Sequence, residues 1–236
     1  MDRNAVEQSR TAGMGFVELA GGRAVSQNRS TAVMQRRVEA HDSLDDFPTP
    51  PWATRALCEW LSKNHSQPLD LFKVREPAAN RGYMARPLAE YFKQVEASDV
   101  HDYGYGFPVN DYLWGPIPEA VDWTITNPPF RLAEQFIQRA LQSSRQGVAV
   151  IVRSAFLEGK ARFESLFDKV PPHFILRFVE RAPMCKGKVD PNVSSATSYS
   201  WIIWLADSGR ADTRLRWIPP CRKKLERESD YAGAAA

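Results

Sequence analysis

A chain of 236 residues, 43% hydrophobic and 25% charged, is long enough for one full core and has the balance of an ordinary globular protein. A formal net charge of +3 permits a nucleic-acid partner without arguing for one, and three cysteines with no CxxC spacing give neither a disulfide framework nor a zinc site. No run approaches the roughly 20 apolar residues of a membrane span, and the polar N-terminus lacks a signal core, so the expected compartment is the cytoplasm.

Residues 1–44 are rich in Ser, Arg, Gln and Ala, with little apolar periodicity, and read as a disordered tail that admits a helical piece near 32–40. Order begins at D-D-F-P-T-P-P-W. Thr49 is placed to cap a helix, and Trp52, Leu57, Trp60 and Leu61 form its apolar stripe. F-K-V-R-E-P predicts a short strand that ends at Glu76 and enters the loop A-A-N-R-G. A helix over 83–91 and a second strand over 93–99, ending in Asp99, follow. N-D-Y-L, 110–113, is a short element. V-D-W-T-I-T is a third strand, stopped by N-P-P-F, because proline cannot donate to a sheet ladder and holds the residue before it extended.

Residues 131–142 predict an amphipathic helix. Residues 147–153 are almost wholly apolar, as in the centre of a covered parallel sheet. A further helix over 161–170 precedes two late strands, 174–180 and 198–205, joined by a long polar loop over 181–197. C-R-K-K-L-E-R belongs to a basic C-terminal tail, 219–236. The pattern predicts an α/β domain over 45–218: a doubly wound, Rossmann-like sheet with helices on both faces and a late antiparallel strand pair.

In open α/β sheets, ligands sit beyond the carboxyl ends of the strands. Here those ends carry Glu76 and its small-residue loop, then Asp99, then Asp111, then N-P-P-F. Acids at successive strand ends suit a ligand rich in hydroxyls and amines. There is no G-K-[ST] and no full G-x-G-x-x-G, so a phosphate-cradling loop is a weak reading.

In this order the motifs resemble the class I S-adenosylmethionine-dependent methyltransferases, within the amino-methylating group that carries [DN]-P-P-[YFW]. F-P-T-P-P-W-A-T-R-A-L ahead of E-P-A-A-N-R-G-Y-M is most similar to phage- and prophage-associated adenine methyltransferases, and the resemblance spans roughly 46–205. It implies S-adenosyl-L-methionine as cofactor and no metal. It assigns Phe47, Thr49 and Pro50 to the methionine end, and Glu76, Ala78 and Gly82 to the first cofactor loop. Asn80 stands where that loop often has glycine; asparagine is the next most tolerant residue of left-handed backbone. Asp99 matches the acid for the ribose hydroxyls, and Asp111, with Tyr112 packed beside it, the acid for the adenine amine.

The resemblance makes Asn127, Pro128, Pro129 and Phe130 the catalytic corner. The Asn127 oxygen and the Pro128 carbonyl accept the N–H bonds of an exocyclic amine, and Phe130 stacks on the target ring. Arg153, Phe156 and Lys160 after the central strand, and Lys186 and Lys188 in the 181–197 loop, are candidate substrate contacts. The implied reaction is methylation of adenine N6 in DNA, ahead of RNA. A protein glutamine amide is the alternative substrate, and a non-catalytic binding protein, with Asn80 as its lesion, is the alternative class.

Overall fold

The computed structural model describes residues 45–206 and 212–231; the expected N-terminal tail lies outside them. Seven strands follow in chain order: β1 (Lys73–Glu76), β2 (Gln94–Ala97), β3 (Val121–Thr126), β4 (Ser144–Arg153), β5 (Phe174–Phe178), β6 (Tyr199–Leu205) and β7 (Arg214–Ile218). They form one sheet in the order β2-β1-β3-β4-β6-β5-β7. Pairing is parallel throughout except for β6, which runs antiparallel to both β4 and β5. The expected late antiparallel pair is therefore β5 with β6, and β7 is an additional edge strand.

Period-two alternation in the central strands divides the core into two layers. In β4, Ala149 and Ile151 face one layer while Val148, Val150 and Val152 face the other. β6 repeats the division, with Trp201 and Ile203 opposed to Ile202 and Trp204. Trp201 and Trp204 are thus core residues. α1 (Pro51–Asn64) and α2 (Ala85–Leu88) cover the first layer through Trp52, Leu57, Leu61 and Leu88. α3 (Ala133–Gln142) covers the second through Ala133, Ile137 and Ala140. Both faces of the sheet are covered, as expected.

Local chemistry moves several element boundaries. Pro50, not Thr49, is the residue ahead of α1, and no side chain caps that helix. The expected helix over 83–91 shortens to Ala85–Leu88. The helix expected over 161–170 begins as α4 (Lys160–Arg162) and continues as a single π-turn, Phe163–Phe167. N-D-Y-L forms no strand of its own; an isolated bridge joins Asp99 to Val109 just before it.

The basic segment after Ile218 needs correction, because up to Tyr231 it is folded. α5 (Arg222–Leu225) buries Leu225 in the first layer, and a 3-10 turn (Glu228–Tyr231) carries Asp230 onto Arg55 of α1. No helix among the described residues is long and apolar enough to cross a membrane.

Candidate active site

β1, β2 and β3 are parallel neighbours, so their carboxyl ends open on one edge of the sheet. A cavity lies over that edge. Phe47, Thr49, Glu76, Ala78, Asn80, Asp99, Asp111, Tyr112, Asn127 and Pro129 all line it. These residues come from five separate stretches of sequence and meet only in the fold. Pro50, Gly82, Pro128 and Phe130 do not line it. Pro50 is buried at the start of α1. Gly82 has φ +80°, and a Cβ there would sit 2.8 Å from Cζ of Phe107. The loop's own geometry and packing therefore already call for glycine there.

Glu76 is fully buried at the tip of β1. Its Oε1 accepts from the Ala78 amide at 3.1 Å and from Thr126 Oγ1 at 2.8 Å, while Oε2 is buried with no partner. Burial pushes the carboxyl up to about 8, against the opposing pull of those two hydrogen bonds. Asp99 Oδ2 accepts from the Asn80 amide at 2.8 Å, and its Oδ1 from the His101 amide at 3.0 Å. Asn80 has φ 52°, the left-handed geometry its position requires. Its side chain is tied down: Nδ2 donates to Asp46 at 2.7 Å, and Oδ1 accepts from the Arg81 amide at 2.8 Å. Asp111 is exposed at the rim, where Oδ1 accepts from the Leu113 amide and closes a turn. Tyr112 is buried against Phe136, ring centroids 5.1 Å apart.

At the tip of β3 the Asn127 amide is oriented without ambiguity. Nδ2 donates to the Phe47 carbonyl at 2.8 Å, which only the nitrogen end can do. Oδ1 is then a buried acceptor with no partner. Phe130 stacks on Phe47, with centroids 5.8 Å apart and rings inclined by 27°. The Phe130 amide donates to Asp45.

The substrate candidates separate. Arg153, at the end of β4, places its guanidinium carbon 4.1 Å from the Phe130 ring centroid, beside the catalytic corner. Phe156 is a correction: it is buried in the second core layer with Arg162 over its ring at 4.0 Å, so it packs and does not reach the site. Lys160 stands on an exposed helix face opposite Glu164 at 3.7 Å, outside the cavity. Lys186 and Lys188 are exposed, and Lys188 pairs with Asp190 at 2.9 Å. Their loop does reach the corner, since Met184 Sδ lies 3.9 Å from Asn127 Nδ2 and the Gly187 amide donates to the Asp46 carbonyl.

Sequence reasoning missed Thr126, which joins the β3 tip to Glu76, and Tyr103 and Met84, which line the cavity. Thr126 was signalled by alternation, because V-D-W-T-I-T buries Trp123 and Ile125 in one layer and turns its threonines to the other side. Tyr103 lies in a loop with no periodic signal. Among the described residues no group of His, Cys, Asp and Glu is placed to hold a metal ion.

No protein-family model matches this sequence, and no curated protein does. Solved structures match its backbone. A modification subunit assigned to a type I restriction enzyme of Vibrio vulnificus YJ016 is 18% identical, over 83% of this chain and 53% of its own, with a TM-score of 0.50. The methyltransferase subunit of a type I restriction-modification system from Streptococcus thermophilus gives 0.55 at 12% identity, over 80% of this chain and 52% of its own. A protein from Pyrococcus horikoshii assigned as an RNA methyltransferase gives 0.50 at 16% identity, over 73% of this chain and 94% of its own. The fold is that of the class I methyltransferases. This chain spans about half the length of the two modification subunits. The cavity described above lies at the carboxyl edge of this methyltransferase sheet, where an open α/β fold places its ligand.

Proposed function

We propose that this chain transfers a methyl group from S-adenosyl-L-methionine to the exocyclic N6 amine of adenine in nucleic acid, with DNA ahead of RNA. The observation that carries the reading is Asn127, whose Nδ2 is committed to the Phe47 carbonyl and whose Oδ1 is left as an unpaired, buried acceptor at a cavity lined by acids.

The cavity fits the cofactor. Glu76 Oε2 is an orphaned acceptor that the methionine ammonium would satisfy. Asp99, fixed by two backbone amides, keeps lone pairs for the ribose hydroxyls, and Asp111 at the rim suits the adenine amine. Phe47 and Thr49 would flank the methionine end, Pro50 acting only by starting α1. When bound, S-adenosyl-L-methionine supplies an electrophilic methyl group.

The chain's own residues would then prepare the nucleophile. An exocyclic amine is a poor one, because its lone pair is delocalised into the ring. Asn127 Oδ1 and the Pro128 carbonyl accept its two N–H bonds, draw the nitrogen toward tetrahedral geometry and aim the lone pair. The two prolines hold this corner rigid, so little reorganisation accompanies reaction. Phe130 offers the ring on which the target base stacks. The proton leaves to water after transfer, and no base with a tuned pKa is needed.

Two of the matched structures carry restriction-modification names, which supports DNA. The motif resemblance to phage and prophage enzymes agrees with that choice. RNA is the second reading, favoured by length: this chain covers nearly the whole of the archaeal structure assigned as an RNA methyltransferase.

Labelled S-adenosyl-L-methionine, offered with DNA, RNA and a cell extract and followed by nucleoside mass analysis, tests the proposal. Wild type should yield N6-methyladenine, and Asn127→Ala should lower the rate about 100-fold or more, as losing a preorganised transition-state contact does. Label in protein, including glutamine amides, or in another base would overturn the substrate. Cofactor binding with no transfer to any of the three would favour a binding protein over an enzyme.

A further inference from the structure

Arg153 is the one substrate candidate that touches the catalytic corner, and its surroundings are unusual for an arginine. Its guanidinium lies over the Phe130 ring at 4.1 Å from the centroid, a cation–π contact that covers the ring face. Its Nε is buried and has no hydrogen-bond partner among the described residues. Arg153 as a residue is only partly buried. Phe130 is held independently, by its amide on Asp45 and its ring on Phe47. A planar cation on a fixed aromatic ring, with an unsatisfied donor, is an arrangement that an incoming planar base and its phosphate would relieve.

Resting on the reading of this site as a base methyltransferase, we propose that Arg153 occupies the target base's stacking position on Phe130 in the absence of substrate. An entering base displaces the guanidinium, which turns outward and pairs with the adjoining backbone phosphate. Arg153 is then a positioning residue with two opposed effects. It competes with a base that brings no phosphate and assists one that does.

Opposed signs make the test. Binding of deoxyadenosine and of an oligodeoxyadenylate would be measured over a range of salt for wild type, Arg153→Ala and Arg153→Met, with melting curves confirming that each variant folds. Both variants should bind deoxyadenosine about threefold more tightly, the weight of one exposed cation–π contact. Both should bind the oligonucleotide more weakly, with a slope of log affinity against log salt shallower by about 0.7, one single-strand phosphate contact. Weaker or unchanged nucleoside binding in the variants would overturn the stand-in role, and an unchanged salt slope would overturn the phosphate contact. Wild type that binds neither probe would overturn the DNA reading and this inference with it. Wild type that binds both, matched by its variants, would overturn this inference alone.

Discussion

Glu76 shows how a single buried carboxyl ties fold, pH and ligand together. It is placed at the tip of β1 by the strand and locked by Thr126 and Ala78, yet one oxygen stays unsatisfied, and burial holds its pKa at about 8. Below that pH the group keeps its proton. A raised carboxyl favours the folded state fully below the ordinary glutamate range, and this contribution is lost as pH rises toward about 8. A cationic ligand reverses the preference, because the ammonium pulls the pKa back down. Cofactor binding near pH 7 should therefore release a proton, visible as a binding heat that changes with the ionisation heat of the buffer. Glu76→Gln should abolish that buffer dependence and weaken cofactor binding by about 10- to 100-fold, the weight of a charge-assisted hydrogen bond. Buffer-independent heat in wild type would show that Glu76 is already ionised or does not meet the ammonium. At this scale most of the cavity was legible: an acid after each early strand and a corner of N-P-P are residue types whose chemistry does not depend on distant context. Phe156 was misplaced because its surroundings, the second core layer and Arg162, are set by tertiary packing.

Among the elements, strands with two buried faces were the most readable, and β3 and β6 begin and end within a residue of the expected limits. β7 was missed although R-L-R-W-I alternates. Leu215 is 48% exposed and Trp217 63%, so this edge strand has the period without the burial that usually accompanies it. β4 holds a sharper constraint at Gly147. A Cβ there would lie 2.6 Å from Trp123 Cζ3 and 2.6 Å from the Trp204 carbonyl oxygen. One neighbour is backbone and the other a fully buried indole, so neither can yield cheaply. Gly147→Ala should lower stability by about 1–3 kcal/mol, the usual cost of overpacking, read as a shifted urea midpoint with an unchanged slope. An unshifted midpoint would mean that β4 can move away from both Trp123 of β3 and the Trp204 backbone of β6, its neighbours on either side.

At the scale of the whole described domain, Arg55 connects α1 to the turn Glu228–Tyr231. Its guanidinium donates to Asp230 at 2.8 Å through two nitrogens, to Glu90 through two, and to the Leu225 carbonyl at 2.8 Å. Positions 55 and 230 are 175 residues apart, so nothing local in C-R-K-K-L-E-R marks it as part of the fold; its charge alone reads as a tail. Arg55 and Asp230 are nearly buried, with side chains 4% and 5% exposed, whereas Glu90 is 26% exposed and can be hydrated. The asymmetry fixes the order of effects. Asp230→Ala should cost about 2–3 kcal/mol, since Arg55 keeps Glu90 and loses its charged partner in the turn. Arg55→Met should cost more, about 3–5 kcal/mol, because it strands the Asp230 carboxylate in a buried place. Combining the two should cost less than their sum by about 1–3 kcal/mol, because the stranded charge is then gone. Additive costs in that double-mutant cycle would show that the two side chains act separately, and that the C-terminal turn is held mainly by its other contacts, Leu225 in the core, Glu180 on the Cys221 amide and Arg227 on Glu90.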